Sequence, residues 1–78
     1  MATVQIRVVQ WEDKPDTMGA KLRGLRRDAG LTQIQLAEKV GLSWKTVQSI
    51  ERNVYSPCWK NFTKLARYFN VSLDWLAE

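Results

Sequence analysis

The sequence predicts an all-α fold of five short helices, preceded by a β-strand extension. From Met18 onward, apolar residues recur every three or four positions, which is the period of a helix with one buried face. Ser, Thr, Gly, Asn and Pro, the residues that commonly begin or end helices, separate these apolar stretches. The 78 residues are enough for one small domain. We therefore divide the chain into an arm at 1–16 and a helical domain at 17–78.

The arm has a different pattern. Residues 3–11, TVQIRVVQW, alternate in polarity and place Val4, Ile6 and Val8 on one face, which predicts a strand. The following EDKPDT interrupts the alternation with Pro15. A single strand leaves its backbone groups unpaired. We therefore expect it to pair with another molecule, to lie against the helices, or to fray.

The first two helices are predicted from apolar residues at helical spacing and from the residues that begin or end each helix. Helix 1 is expected over about 17–29 with a stop at Gly30, and its stripe contains Met18, Leu22, Leu25 and Ala29. Helix 2 follows Thr32, because Thr32 to Gln35 has the form of a capping box. The inner face of helix 2 contains Leu36, Ala37 and Val40.

Three further helices follow a turn at Gly41. Ser43 is predicted to cap helix 3 at about 44–52, with Val47 and Ile50 facing inward and Asn53 in the left-handed position at its end. Ser56-Pro57 predicts the start of helix 4, since proline favours the first helical position. Its core face contains Phe62, Leu65, Ala66 and Phe69. Ser72 caps a last helix that contains Leu73, Trp75 and Leu76.

Helices 2 and 3, joined by a short turn at Gly41, have the form of a helix-turn-helix unit. The small Ala37 lies where the two helices must approach closely. The charge points the same way, because residues 21–78 carry ten basic and five acidic side chains, and a basic surface on a small domain favours nucleic acid as the partner. A helical hairpin inside an ordinary bundle, with a merely soluble surface, is the alternative.

Composition disfavours several classes of protein. No apolar run approaches the roughly 18 residues of a membrane span, and the start of the chain does not resemble a signal peptide. Cys58 is the single cysteine and histidine is absent, so neither an internal disulfide nor a Cys/His zinc site is expected. We find no glycine-rich phosphate loop or catalytic cluster. The expectation is a cytoplasmic protein that is not an enzyme and uses no cofactor, metal or small-molecule ligand.

The stretches LRRDAGLTQIQLAEKVGLSWKTVQSIERNVYSP and LARYFNVSLDWL resemble the Cro/repressor-type (XRE) helix-turn-helix regulators of phages and bacteria. The resemblance covers residues 18–78. It implies a compact five-helix, lambda-repressor-like DNA-binding domain, usually dimeric, that acts as a transcriptional repressor in a prophage or bacterial genome. One departure is Glu51-Arg52-Asn53, where the family commonly ends with glycine, and asparagine tolerates the same backbone conformation.

In such a fold helix 3 enters the major groove of DNA, and its first residues meet base edges. Helical spacing places four candidates on its outer side, namely Trp44, Lys45, Gln48 and Ser49. Lysine suits guanine, glutamine suits adenine, and the indole of Trp44 offers an apolar face to a thymine methyl group. Alternatively, Trp44 folds back over helices 2 and 3 as a lid.

Phosphate contacts are expected from two regions. Gln33 begins helix 2, whose free N–H groups favour an anion, and the resemblance gives a glutamine here the role of bridging phosphate and helix 3; a plain exposed residue is the alternative. The second region is the loop after helix 3, where the candidates are Arg52, Asn53, Tyr55 and Ser56, joined by Lys60. Ser43, the cap of helix 3, is a further candidate.

The resemblance also implies that Arg26 forms a partly buried bridge with Glu51, tying helix 1 to helix 3. Lys21, Arg23 and Arg27 are then expected to be solvated and to reach DNA without sequence preference. Trp59 and Trp75 are interpreted as packing or dimer residues, and no chemical role is expected for Cys58.

The function predicted from the sequence is a homodimeric, sequence-specific regulator, a repressor, that binds a pseudo-palindromic operator in double-stranded DNA. Two alternatives remain open. One is the antitoxin of a toxin–antitoxin pair, in which the strand docks on the toxin. The other is a protein-interaction module that keeps the fold without binding DNA.

Overall fold

The computed structural model describes residues 17–77, which form five α-helices. Their bounds are α1 Met18–Asp28, α2 Gln33–Val40, α3 Trp44–Glu51, α4 Trp59–Phe69 and α5 Leu73–Ala77. The prediction of an all-α, five-helix domain is confirmed. The strand predicted at 3–11 and the rest of the arm at 1–16 lie outside the described residues.

Side-chain caps define where most of these helices begin. Thr17 accepts the N–H of Ala20 at the start of α1. At α2, Thr32 Oγ1 accepts the N–H of Gln35 at 3.1 Å while Gln35 Oε1 accepts the N–H of Thr32 at 2.9 Å, so the predicted capping box is confirmed. Ser43 and Ser72 cap α3 and α5 as predicted.

Residues in the left-handed conformation follow four of the helices, α1 to α4. Gly30 and Gly41 have φ of +70° and +72°, and Asn53 and Asn70 have φ of +60° and +55°. The predicted left-handed position of Asn53 is confirmed. Because this conformation reverses the chain direction within one residue, it permits the short connections between successive helices.

One hydrophobic core unites the five helices. α2 contributes Leu36, Ala37 and Val40, and α3 contributes Val47 and Ile50, as predicted. The other members of the core are Leu22, Leu25, Phe62, Leu65, Ala66, Phe69, Val71 and Leu76. The small side chain of Ala37 lies within this core, where α2 packs against α3. α3 is therefore held by its inner face, and its outer face is left to solvent.

The start of α1 approaches the end of α3 unusually closely at Gly19. A Cβ atom added at Gly19 would lie 2.5 Å from the carbonyl oxygen of Ile50 and 2.6 Å from that of Glu51. Both distances are shorter than any ordinary contact, so only glycine fits. The sequence analysis did not identify this residue, because nothing in the local pattern distinguishes it.

Three predictions about individual residues are wrong, and they concern the start of α4, the burial of Ala29 and the exposure of Lys21. Helix α4 begins at Trp59, after Cys58, and not at Ser56-Pro57. The backbone is extended at Cys58, which makes no side-chain cap, and the helix therefore begins two residues after Pro57. Ala29 is exposed, since the helix ends at Asp28 and the apolar stripe ends with it.

Lys21 was expected to be solvated and is instead buried, with 5% of its surface exposed. Its Nζ donates a hydrogen bond to the backbone oxygen of Trp75 at 2.6 Å and lies 5.2 Å from the centroid of the Trp75 ring. The ammonium group thus joins α1 to α5. This arrangement satisfies a charge that burial would otherwise penalise.

Candidate nucleic-acid interface

The outer face of α3 carries the four residues predicted to read bases. Trp44 and Lys45 are exposed and Gln48 and Ser49 are half-buried, while Val47, Ile50 and Glu51 are buried on the opposite side. Ser43 caps the helix and also exchanges a hydrogen bond with the hydroxyl of Thr46 at 2.7 Å. The Ser43 side chain therefore stabilises the first turn of α3, which carries Trp44 and Lys45.

Trp44 keeps 41% of its surface exposed. The partly buried apolar side chains that pack against the core are Met18, Leu31, Leu42, Leu73 and Trp75, and Trp44 does not belong to this group. The indole of Trp44 is therefore accessible to a ligand at the start of α3, with the ammonium group of Lys45 next to it in the chain.

The start of α2 lies beside α3 through Gln33. The side-chain Nε2 of Gln33 donates a hydrogen bond to Glu51 Oε1 at 3.2 Å. The N–H groups of the first turn of a helix have no partner within the helix, and in α2 the Thr32 cap takes up that of Gln35. The N–H groups of Gln33 and Ile34 remain available to an anion.

Glu51 is the centre of a buried cluster between α1, α2 and α3. Its side chain has no exposed surface, and Arg26 is 13% exposed. Arg26 donates from Nε to Oε2 at 2.7 Å and from a terminal nitrogen to Oε1 at 3.1 Å, and its other terminal nitrogen donates to the backbone oxygen of Leu31 at 2.9 Å. This two-bond geometry is the strong form of a guanidinium–carboxylate pair.

The loop after α3 carries most of the remaining phosphate candidates. Arg52, Asn53, Tyr55 and Ser56 are exposed, and so is Lys60 in the first turn of α4. The side chain of Asn53 also makes two hydrogen bonds within the protein. Its Oδ1 accepts the N–H of Gly19 at 3.1 Å, and its Nδ2 donates to Thr17 Oγ1 at 3.2 Å. The side chain of Asn53 is thus occupied within the fold, whereas Arg52, Tyr55 and Lys60 project from it.

Sequence reasoning overlooked several exposed residues around this surface. Ile34 lies at the start of α2 outside its buried stripe, and Val54 lies next to Tyr55 in the loop, with both side chains exposed. An apolar residue that falls off the helical stripe is the signal that would have identified Ile34. For Val54 the local sequence offers no comparable signal.

Residues 17–77 contain neither a metal-binding cluster nor a membrane-spanning helix. This part of the chain contains no group of three or more Cys, Asp or Glu side chains placed to hold a metal ion. None of its helices is long and apolar enough to cross a membrane.

Comparisons with known proteins agree with this geometry. The family model described as helix-turn-helix matches residues 22–76. An uncharacterized helix-turn-helix-type transcriptional regulator of Methanocaldococcus jannaschii is 39% identical over 57 residues, which are 73% of this chain and 86% of the relative. The immunity repressor protein of Bacillus phage phi105 is 44% identical over 58 residues, which are 74% of this chain and 40% of the repressor.

Solved structures show the same likeness. The P22 c2 repressor, determined in complex with a synthetic operator, superimposes with a TM-score of 0.78 at 26% identity, over 82% of this chain and 97% of the repressor chain. The biofilm master regulator SinR of Bacillus subtilis, determined in complex with DNA, gives a TM-score of 0.71 at 30% identity, over 77% and 97%. With a family match over more than half of its length, this chain belongs to the helix-turn-helix family of DNA-binding transcriptional regulators.

Proposed function

We propose that the protein is a homodimeric repressor that places α3 in the major groove of a pseudo-palindromic operator. The observation that carries the proposal is the outer face of α3, where Trp44 and Lys45 are exposed between two sets of donors, at the start of α2 and in the loop after α3. α3 has eight residues and is therefore about 12 Å long. With its side chains an α-helix is about 10–12 Å in diameter, so it fits into the major groove, which is about 12 Å wide.

The proposed base contacts follow from the chemistry of the four exposed positions. Lys45 donates to guanine O6 and N7, Gln48 pairs with adenine, and Ser49 serves either base. Trp44 packs its ring on a thymine methyl group. Backbone phosphates are bound by the residues on either side, namely Gln33, Ser43, Arg52, Tyr55 and Lys60. Phosphate contacts set the register of the protein, and base contacts set its sequence preference.

A second copy of the chain is proposed to dock on the groove between α4 and the start of α5. Trp59, Thr63 and Arg67 line one side of this groove and Leu73 lies on the other. Trp59 is 70% exposed and stacks on Phe62, with the ring centroids 6.0 Å apart. A large exposed aromatic side chain at the edge of a groove is typical of protein interfaces. Such a repressor acts in the cytoplasm of a prokaryotic cell, and its role is binding without a catalysed reaction.

Selection from a random pool of DNA duplexes, followed by gel-shift measurement, tests the proposal. Two recognition helices related by a two-fold axis sit about 34–36 Å apart. The selected sites should therefore contain two inverted half-sites whose centres are one helical turn apart. Failure to enrich any sequence would contradict operator recognition and would favour a protein partner, such as a toxin. Enrichment of single half-sites would contradict only the dimer.

A further inference from the structure

Two guanidinium groups, those of Arg23 and Arg26, lie within ion-pair distance of the single carboxylate of Glu51. Arg26 alone neutralises the carboxylate with two hydrogen bonds. Arg23, one turn earlier in α1, also directs its Nε toward Glu51, at 3.6 Å from Oε1. The two guanidinium groups and one carboxylate leave a net charge of +1 at this position of the surface.

Arg23 is the partner that faces solvent. Its side chain is 45% exposed, and within residues 17–77 it makes no other hydrogen bond or ion pair. The Nε atom faces Glu51, so the terminal nitrogens of the guanidinium group keep donors for a ligand. A single long contact at 3.6 Å biases the orientation of the side chain without using those donors.

Gln33 meets the same oxygen atom. Its Nε2 donates to Glu51 Oε1 at 3.2 Å, so the side chains of Gln33 and Arg23 lie side by side around one carboxylate oxygen. Gln33 is also the first residue of α2, where the backbone N–H groups have no partner within the helix. An exposed guanidinium on α1 and a side-chain amide on α2, which meet at one carboxylate oxygen, make a pair of donors suited to one phosphate group.

We propose that Arg23 and Gln33 form one clamp for a single phosphate of the DNA backbone, and that the buried carboxylate of Glu51 positions both side chains. This inference rests on the proposed operator binding and assigns Arg23 a defined contact in place of a nonspecific one. Glu51 lies on α3, three residues after Gln48. Glu51 therefore connects the proposed phosphate contact of Arg23 and Gln33 to α3, the helix proposed to enter the major groove.

The test compares Arg23→Gln with Arg27→Gln on the selected operator. Arg27 is exposed on the same helix, and the two substitutions remove the same charge. Arg23→Gln should weaken binding by about tenfold, as expected for the loss of one charge-assisted hydrogen bond, and should reduce the slope of log K against log salt by about one unit. Arg27→Gln should change both much less. Thermal unfolding of Arg23→Gln should match the parent, since Arg26 still pairs with Glu51.

Operators carrying one neutral methylphosphonate at each position in turn locate the contact. At one phosphate the neutral group should weaken the parent but have no further effect on Arg23→Gln, and Gln33→Ala should lose its sensitivity at that same phosphate. Different phosphates for the two variants, or equal losses for Arg23→Gln and Arg27→Gln, would overturn the clamp while operator binding by the parent stands. If the parent binds no duplex, the clamp and the proposed function both fail.

Discussion

The amide oxygen of Asn53 accepts a hydrogen bond from the backbone N–H of Gly19 at 3.1 Å, so a residue of the turn after α3 also binds the first turn of α1. Asn53 holds φ at +60°, a conformation that glycine adopts more easily. Its side chain compensates by binding Gly19 and Thr17, which are 34 and 36 residues away in the chain. These two hydrogen bonds connect the turn after α3 to the start of α1.

Substitutions at Asn53 should separate the backbone effect from the hydrogen bonds. Asn53→Gly keeps the left-handed conformation but loses both contacts, and we expect a loss of about 1 kcal/mol in the free energy of unfolding. Asn53→Ala should lose about 1–2 kcal/mol more, because alanine is strained at positive φ. Chemical denaturation of the parent, Asn53→Gly and Asn53→Ala gives the order of their free energies of unfolding. Equal stability of Asn53→Gly and the parent would show that the side-chain contacts add nothing net.

Removal of the Glu51 carboxylate should be costly. Glu51→Ala leaves the guanidinium of Arg26 buried without its partner, which costs about 3–5 kcal/mol in comparable buried pairs. Glu38→Ala is the matched control, since Glu38 is an exposed glutamate on α2 and its loss should change stability by less than about 0.5 kcal/mol. Thermal unfolding measures both. A Glu51→Ala protein as stable as the parent would mean that Arg26 escapes to solvent and is available to DNA.

Lys21 should matter for stability and not for DNA. Lys21→Met keeps much of the apolar stem but removes the donor to the Trp75 carbonyl oxygen, and hydrogen bonds to charged groups contribute about 1.5–3 kcal/mol. We expect a lower unfolding temperature and an unchanged salt dependence of operator binding. A reduced salt slope in this variant would indicate that Lys21 reaches a phosphate after all.

Trp44 and Lys45 should act on sequence preference. Trp44→Ala is expected to lose about 1–3 kcal/mol of binding energy mainly at sites with thymine at one position, and Lys45→Ala should relax a neighbouring guanine preference. Arg52→Ala should weaken all sequences equally and lower the salt slope by about one unit. Gel shifts on single-base operator variants distinguish these patterns. Unchanged binding by the Trp44 and Lys45 variants would remove α3 from the groove.

Trp59 should matter for self-association. Trp59→Ser removes the exposed ring from the groove between α4 and α5, and we expect at least a tenfold weaker dimer by sedimentation, with little loss of stability because the ring is mostly exposed. A chain that begins at Thr17, and so lacks the strand predicted at 3–11, is the comparison. If that chain is monomeric while Trp59→Ser still dimerises, the strand forms the interface.

Local interactions made the helix starts of this protein predictable. The capping box at Thr32 and Gln35 and the caps at Ser43 and Ser72 span only three residues each, so their geometry follows from the sequence. The inner faces of α2 and α3 follow from helical period for the same reason. α4 did not follow the rule, because the backbone is extended at Cys58 and the helix begins at Trp59, although the Ser56-Pro57 pair is locally favourable.

Only the tertiary structure decided which charges are buried and which face outward. Lys21 and Trp75 are 54 residues apart, and Gln33 and Glu51 are 18 apart. The sequence showed basic residues on α1 but could not separate Lys21, which the fold buries, from Arg23, which it leaves half-exposed beside Glu51. The environment of a charge depends on what other helices bring to it, and this information is absent from the local pattern of residues. For that reason the exposed outer face of α3 could be predicted from the sequence, whereas the buried cluster around Glu51 could be assembled only in three dimensions.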